Sequence, residues 1–258
     1  MLDDAALLAA LPGWAFAFAL VLSRTGMAVV LLPGLGEAEP PPTVRAGLTL
    51  AITVLLVPAV APLMPAVPEV GLGGAAMVAT ELLVGALLGW MARLPAMALG
   101  MAGAVVSYML GLSSVVQQDP ALGGQSAAMS RLFGVVAPVV ILSTGLYALP
   151  LTALAGSYQL VPPGSALPAG PLAESVTGAL VACFGLALRL SAPFLLAGLV
   201  FQVAMGLLAR LVPQLQVYTA ATPGQILGGI VLLGVLASHI LGAWTEAVHT
   251  AWSGLPGL

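Results

Sequence analysis

Residues 175–211 read SVTGALVACFGLALRLSAPFLLAGLVFQVAMGLLARL, an apolar run interrupted by Arg189 and closed by Arg210. A helix rises about 1.5 Å per residue, and about 20 apolar residues cross the roughly 30 Å hydrocarbon layer of a bilayer. The stretch is therefore longer than one crossing needs. Hydrocarbon offers no partner to backbone N–H and C=O groups, so such a run in a membrane must be helical. The same ruler, carried outward, marks Gln225–Trp244 behind it and Phe133–Leu154, Gly71–Arg93, Val44–Val57 and Trp14–Leu32 ahead of it. Pro33-Gly34 and the proline-rich run Pro58–Pro68 end the first two of these six spans, because Pro and Gly break regular elements. Ala96–Val116 is apolar too, but it is rich in Gly and Ser and lies between Pro95 and Gln117-Gln118-Asp119-Pro120. It reads as a seventh span or a re-entrant segment, and the placement of the arginines favours the re-entrant one. The fold expected is an all-α membrane protein of about six long hydrophobic helices with a re-entrant or plug-like segment.

Composition narrows the function classes. Hydrophobic residues make up 60% of the chain and charged residues 6%, where a soluble domain carries about 25% charged residues; lipid or protein must cover most of the surface. No polar block is large enough for a separate soluble domain, so the chain reads as one membrane unit. Its formal charge is -3 and its six basic residues are all Arg, which leaves no basic patch for nucleic acid. The single Cys183 excludes an intrachain disulfide and a cysteine metal cluster. Asp3 and Asp4 precede the first apolar stretch, opposite to the positive start of a cleaved leader, so the first helix is expected to stay. Arg45, Arg93, Arg131 and Arg210 border the odd-numbered loops, which places those loops on the cytoplasmic side.

Candidate functional residues are the ionisable groups inside apolar spans, where charge is costly: Arg24, Glu81 and Arg189. An Arg24–Glu81 ion pair tying the first helix to the third is one arrangement; snorkelling of each side chain to water is the other. Pro193 follows Arg189 by four residues, so its ring displaces the Arg189 carbonyl and a helix kink is expected there. Gly85-Ala-Leu-Leu-Gly89 and Gly224-Gln-Ile-Leu-Gly228 are spacings that let helices approach closely, or else ordinary packing. Glu246 and His249 form half of a carboxylate metal motif whose other ligands are missing, so no metal or cofactor is expected. No nucleophile elbow, zinc-protease motif or phosphate loop is present. An enzyme has little to stand on. A stand-alone small-solute or ion transporter is the alternative reading, although matching halves around a midplane site are not visible.

Several stretches form a pattern. They are Arg24, Pro33, Gly36, Pro40–Pro42 and Arg45; then Glu81, Gly85 and Gly89; then Gly111-Leu112-Ser113 and Asp119-Pro120; and Ser157-Tyr158 with Pro162-Pro163-Gly164. The most specific is Ala187-Leu-Arg-Leu-Ser-Ala-Pro193 followed by Gly206-Leu-Leu-Ala-Arg210-Leu-Val-Pro213-Gln214-Leu-Gln216-Val-Tyr218. Together they resemble one family, the FliR proteins of the flagellar export apparatus, related to the SpaR and EscT export-gate proteins of type III secretion. The resemblance covers nearly the whole chain. Gln202, Gln216 and Tyr147 depart from the residues usual in the family.

The resemblance implies a non-enzymatic subunit of the bacterial inner membrane, within the flagellar basal body. Packed as helical hairpins in a hetero-oligomer with FliP-like and FliQ-like subunits, it would form the channel that passes unfolded flagellar proteins. Residues 1–170 correspond to a FliP-like part and 171–258 to a FliQ-like part. The stretch from about Gly111 to Gln125 is similar to the plug that closes the pore, which singles out Gly111, Leu112, Ser113, Asp119, Pro120, Gly123 and Gly124. Arg210, Pro213, Gln214 and Gln216 are candidate contacts to the FliQ-like subunit or to an FlhB-like switch protein, or else simply turn the chain.

Overall fold

The structure is a computed structural model, and it describes residues 4–37, 40–68, 71–112, 128–211 and 217–258. Every regular element among the described residues is helical: α1 Asp4–Leu31, α2 Pro42–Val60, a short 3-10 turn Ala61–Leu63, α3 Gly71–Met109, α4 Ala128–Thr144, α5 Ala148–Leu160, α6 Ala169–Leu211 and α7 Val217–Ser253. Among the described residues five helices are long and apolar enough to cross a membrane, or six if the bent α4–α5 pair is one span. This is an all-α membrane protein.

The helix ends follow local chemistry. Pro42 opens α2 at its first position, where the missing N–H is no loss. α3 ends in a Schellman motif: Gly111, at φ +70°, donates its N–H to Tyr108 O at 3.1 Å, and Leu112 donates to Ser107 O at 3.0 Å. Pro162–Ser165 closes a tight turn through Ser165 N–H to Pro162 O at 3.0 Å, with Gly164 at φ +83° supplying the left-handed position.

Three expectations need correction. Pro95 does not begin a separate segment: α3 runs through it as one helix, so Ala96–Met109 continues a span and does not re-enter. A proline removes one intrahelical N–H, here the partner of the Met91 carbonyl, and membrane helices tolerate this where neighbours supply donors. Two other carbonyls of this turn receive outside donors: the indole of Trp252 reaches Ala92 O at 2.9 Å and that of Trp244 reaches Pro95 O at 2.8 Å. Second, the fourth span is not straight. Between α4 and α5 the chain bends by 76° at Gly145-Leu146-Tyr147, with Gly145 at φ +74°. Third, α2 passes Pro58 and ends at Val60, three residues later than expected.

The chain forms two compact units. The first comprises Met1–Arg93, Ile141–Ala179 and Thr250–Leu258. Inside it, Val21 of α1 packs with Val57 and Val60 of α2 and with Tyr158 of α5, while Gly26 faces Thr49; α2 thus runs antiparallel to α1. Ala28 packs with Leu88 and Leu154. The chain end lies on α5, where a Cβ on Gly156 would overlap the Gly257 carbonyl and a Cβ on Gly257 would overlap the Ala153 carbonyl. The second unit comprises Leu94–Val140 and Leu180–His249. There Gly103 accepts Met129 and Phe133 of α4, and Ser107 Oγ receives the Met129 N–H at 2.9 Å. Cys183 of α6 donates to Leu94 O at 3.1 Å, and Gln225 of α7 donates to Met109 O at 2.7 Å.

Candidate functional site

In the first unit, Arg24 and Glu81 are both 0% exposed. The guanidinium fork of Arg24 meets the Glu81 carboxylate with both arms, Nε to Oε2 at 2.7 Å and Nη2 to Oε1 at 2.9 Å. Nη2 also donates to Val161 O at 2.8 Å, and Nη1 to Ser157 Oγ at 3.2 Å. The Ser157 hydroxyl donates to Leu154 O at 2.7 Å, which leaves its lone pairs free to accept from Arg24. The Tyr158 ring lies 4.1 Å from the guanidinium carbon, a cation–π contact.

Each partner has a local reason to be there. α5 ends at Leu160, so the Val161 carbonyl at its C-cap has no intrahelical amide to accept from, and a cation at a helix C-terminus is favoured by the helix dipole. Gly85 sits one turn beyond Glu81, and a Cβ there would overlap the Arg24 carbonyl; Gly89 sits one turn further, and a Cβ there would press on Ala28. The two glycines let α3 lie directly on α1, which brings carboxylate and guanidinium within reach. Desolvating an ion pair costs several kcal/mol per ion. The bidentate geometry and the two further acceptors offset that cost. The result is a buried knot joining α1, α3 and α5, in which four of the five guanidinium N–H groups have acceptors.

A second, more exposed pair ties the same two helices. Arg93 Nη2 lies 3.2 Å from Glu37 Oε2, and its Nη1 donates to Leu31 O at 3.2 Å, capping the end of α1. Arg24 beside Glu81, Ala28 beside Gly89 and Leu31 beside Arg93 fall in the same order along both helices, so α1 and α3 are parallel.

The remaining candidates are placed separately. Gly111 and Leu112 form the end of α3, and the side-chain amide of Gln225 lies against Gly111. Ser113, Asp119, Pro120, Gly123 and Gly124 lie outside the described residues, as do Pro213, Gln214 and Gln216. Arg189 is exposed near the middle of α6, Pro193 is inside the same continuous helix, and Arg210 is exposed in its last turn. A Cβ added at Gly224 or Gly228 would meet no other part of the described chain within 4 Å, whereas one at Gly229 beside them would run into Leu110. These three glycines line a mostly apolar groove of about 190 Å³, with Met109, Phe194, Phe201 and Gln225 among its other walls. Among the described residues no three His, Cys, Asp or Glu side chains gather into a metal site.

Sequence reasoning did not connect Ser157, Tyr158 and Val161 to Arg24, and it missed Glu37 and Gln225. Ser157-Tyr158 stood out only as part of a family-like loop. A serine followed by an aromatic at a helix end is too common to announce an arginine partner more than a hundred residues away.

Residues 15–251 match the family model of the bacterial export proteins, family 1. The flagellar biosynthetic protein FliR of Caulobacter vibrioides is 30% identical over 230 residues, which is 88% of this chain and 91% of that protein. The flagellar biosynthetic protein FliR of Bacillus subtilis is 28% identical over 138 residues, 52% of this chain and 53% of that one.

Proposed function

The chain belongs to the bacterial export proteins of family 1, together with the flagellar FliR proteins, and from that premise we propose that this flagellar export subunit builds an export gate. With FliP-like and FliQ-like subunits it forms the channel through which unfolded flagellar proteins cross the inner membrane, within the basal body. The observation that carries this reading is a family match over most of the chain, on a protein whose long helices leave their apolar faces uncovered. In the most apolar windows of α6 and α7 only 11% of residues are buried within the chain. Helices so little covered by their own chain suit a subunit whose neighbours and lipid complete its packing.

In this reading residues 1–170 are the FliP-like part, and 171–258, which hold the long α6 and α7, are the FliQ-like part. The Arg24–Glu81 knot keeps α1, α3 and α5 in one arrangement while the gate works. The stretch from Gly111 to Gln125 serves as the plug, starting where the Schellman motif fixes the end of α3. Arg210, Pro213, Gln214 and Gln216 face the FliQ-like subunit or an FlhB-like switch protein. Pro193, beside Arg189, supplies a kink in α6. The chain acts without a cofactor and without chemistry of its own.

Native mass spectrometry in mild detergent, after co-expression with FliP-like and FliQ-like subunits, tests the assembly. One defined hetero-oligomer containing this chain is expected. A monomer or homodimer that ignores both folded partners refutes it. Shortening Gly111–Gln125 in the assembled complex should let small solutes leak, and an intact barrier after that deletion refutes the plug.

A further inference from the structure

In the second unit α6 and α7 are aligned antiparallel by their contacts with α3. Cys183 and Trp244 bond to the adjacent carbonyls of Leu94 and Pro95; fifteen residues further along α6, Gly198 meets Met109, the residue whose carbonyl Gln225 of α7 holds. Arg189 on α6 therefore stands at the level of Ser238 and His239 on α7. All three are exposed, surrounded along both helices by exposed apolar residues. His239 has Ser238 Oγ 3.5 Å from its Nδ1.

From this level to the connection between the helices, neither helix carries an Asp, Glu, Lys, Arg or His until Arg210 in the last turn of α6. At 1.5 Å per residue, Arg189–Leu211 and Val217–His239 are each about 33 Å long, matching the roughly 30 Å hydrocarbon core. Past the level, in the other direction, come Glu246 and His249 on α7 and Glu174 on α6. The bilayer is better matched by the uncharged side than by the side with three ionisable groups.

We propose that Arg189 and His239 form a phospholipid-headgroup site: they mark one face of the bilayer, with Arg189 donating to the phosphate of an anionic lipid whose acyl chains lie along the apolar faces of Leu190–Ala209 and Ala221–Ala237. A guanidinium suits this role, because its planar fork bonds phosphate oxygens in pairs, and a side chain at the edge of the hydrocarbon needs no counterion inside it. Gly178–Leu188 of α6 then lies beyond the hydrocarbon, although it is apolar and spans-by-hydropathy reasoning would place it inside. The inference rests on the membrane location alone and not on the identity of the other subunits.

The test uses the full chain in the membranes of its own cells, with a photo-reactive benzophenone amino acid at Val200, Val231 or Val181. Irradiation at Val200 and Val231 is expected to add the mass of one phospholipid, and at Val181 none. Lipid adducts at Val181 matching those at Val200, or none at Val200 and Val231, overturn the boundary. The headgroup contact is read separately, as phosphatidylglycerol retained by the purified protein in native mass spectrometry. Arg189→Leu should retain less than the wild type and Arg189→Lys as much. Equal retention in Arg189→Leu and wild type overturns the lipid assignment and leaves a protein carboxylate as the partner of Arg189. Because Arg189 is exposed, both variants are expected to fold, and the cross-linking pattern does not depend on either. Failure of the subunit assembly proposed above would appear as missing co-purification, with the lipid readouts still interpretable.

Discussion

Removing one side of the Arg24–Glu81 pair should be among the most damaging changes this chain can suffer, and removing both should hurt less. Glu81→Met leaves a guanidinium sealed from water with Ser157 Oγ and Val161 O as its remaining acceptors. Arg24→Met leaves a buried carboxylate and an uncapped Val161 carbonyl. Breaking a buried pair from one side costs about 3–5 kcal/mol, which for a chain of this length is a drop in melting temperature of about 6–20 °C. The double variant carries no buried charge and keeps side chains of similar length. Its main loss is the donor to Val161 O and Ser157, about 1–3 kcal/mol. The coupling between the two positions should then exceed about 2 kcal/mol, well above the roughly 0.6 kcal/mol average of interhelical hydrogen bonds in a membrane protein. The assay is a double-mutant cycle, with unfolding followed by circular dichroism as SDS displaces a mild detergent. If the two single losses simply add, within about 0.5 kcal/mol, the two side chains do not act as one structural unit.

The other expectations use the same assay. Gly85→Ala forces a Cβ into the Arg24 carbonyl and should cost about 1–3 kcal/mol, whereas Gly234→Ala, with open space around it, should be neutral or stabilising by up to about 1 kcal/mol; equal effects at the two sites would refute the close α1–α3 contact. Gly111→Ala places a side chain at φ +70° and should lose about 1–2 kcal/mol, and no loss would mean that α3 does not end in the left-handed cap. Trp244→Phe keeps the apolar bulk but removes the donor to Pro95 O, for an expected loss of about 0.5–1.5 kcal/mol; a stable variant with unchanged unfolding would show that the carbonyl is satisfied without the indole.

How much of this was legible beforehand depends on whether the signal is local. A run of apolar residues long enough to cross hydrocarbon needs no knowledge of its neighbours, so the helices over Trp14–Leu32, Gly71–Arg93, Ser175–Leu211 and Gln225–Trp244 could be read from the sequence. The fate of Pro95 could not. A proline in a helix interior often kinks or ends it, and nothing local in the sequence marks this one as lying inside one continuous helix. The bend at Gly145 was hidden for the opposite reason: hydropathy runs unbroken through it, and hydropathy does not record direction.

The candidate site divides along the same line. Charge in an apolar helix is conspicuous in any sequence, because desolvating it is expensive, and this alone singled out Arg24, Glu81 and Arg189. The sequence determined that such groups must find partners or an edge of the membrane. Only the tertiary structure decided which. Gly85 and Gly89 bring α3 onto α1 so that Glu81 meets Arg24, and the end of α5 falls where its orphan carbonyl takes the same guanidinium. Arg189, on a helix with no such neighbour, remains exposed at the level of His239. A partner's identity is set by three-dimensional proximity between residues far apart in the chain, and that proximity is information no single stretch of sequence holds.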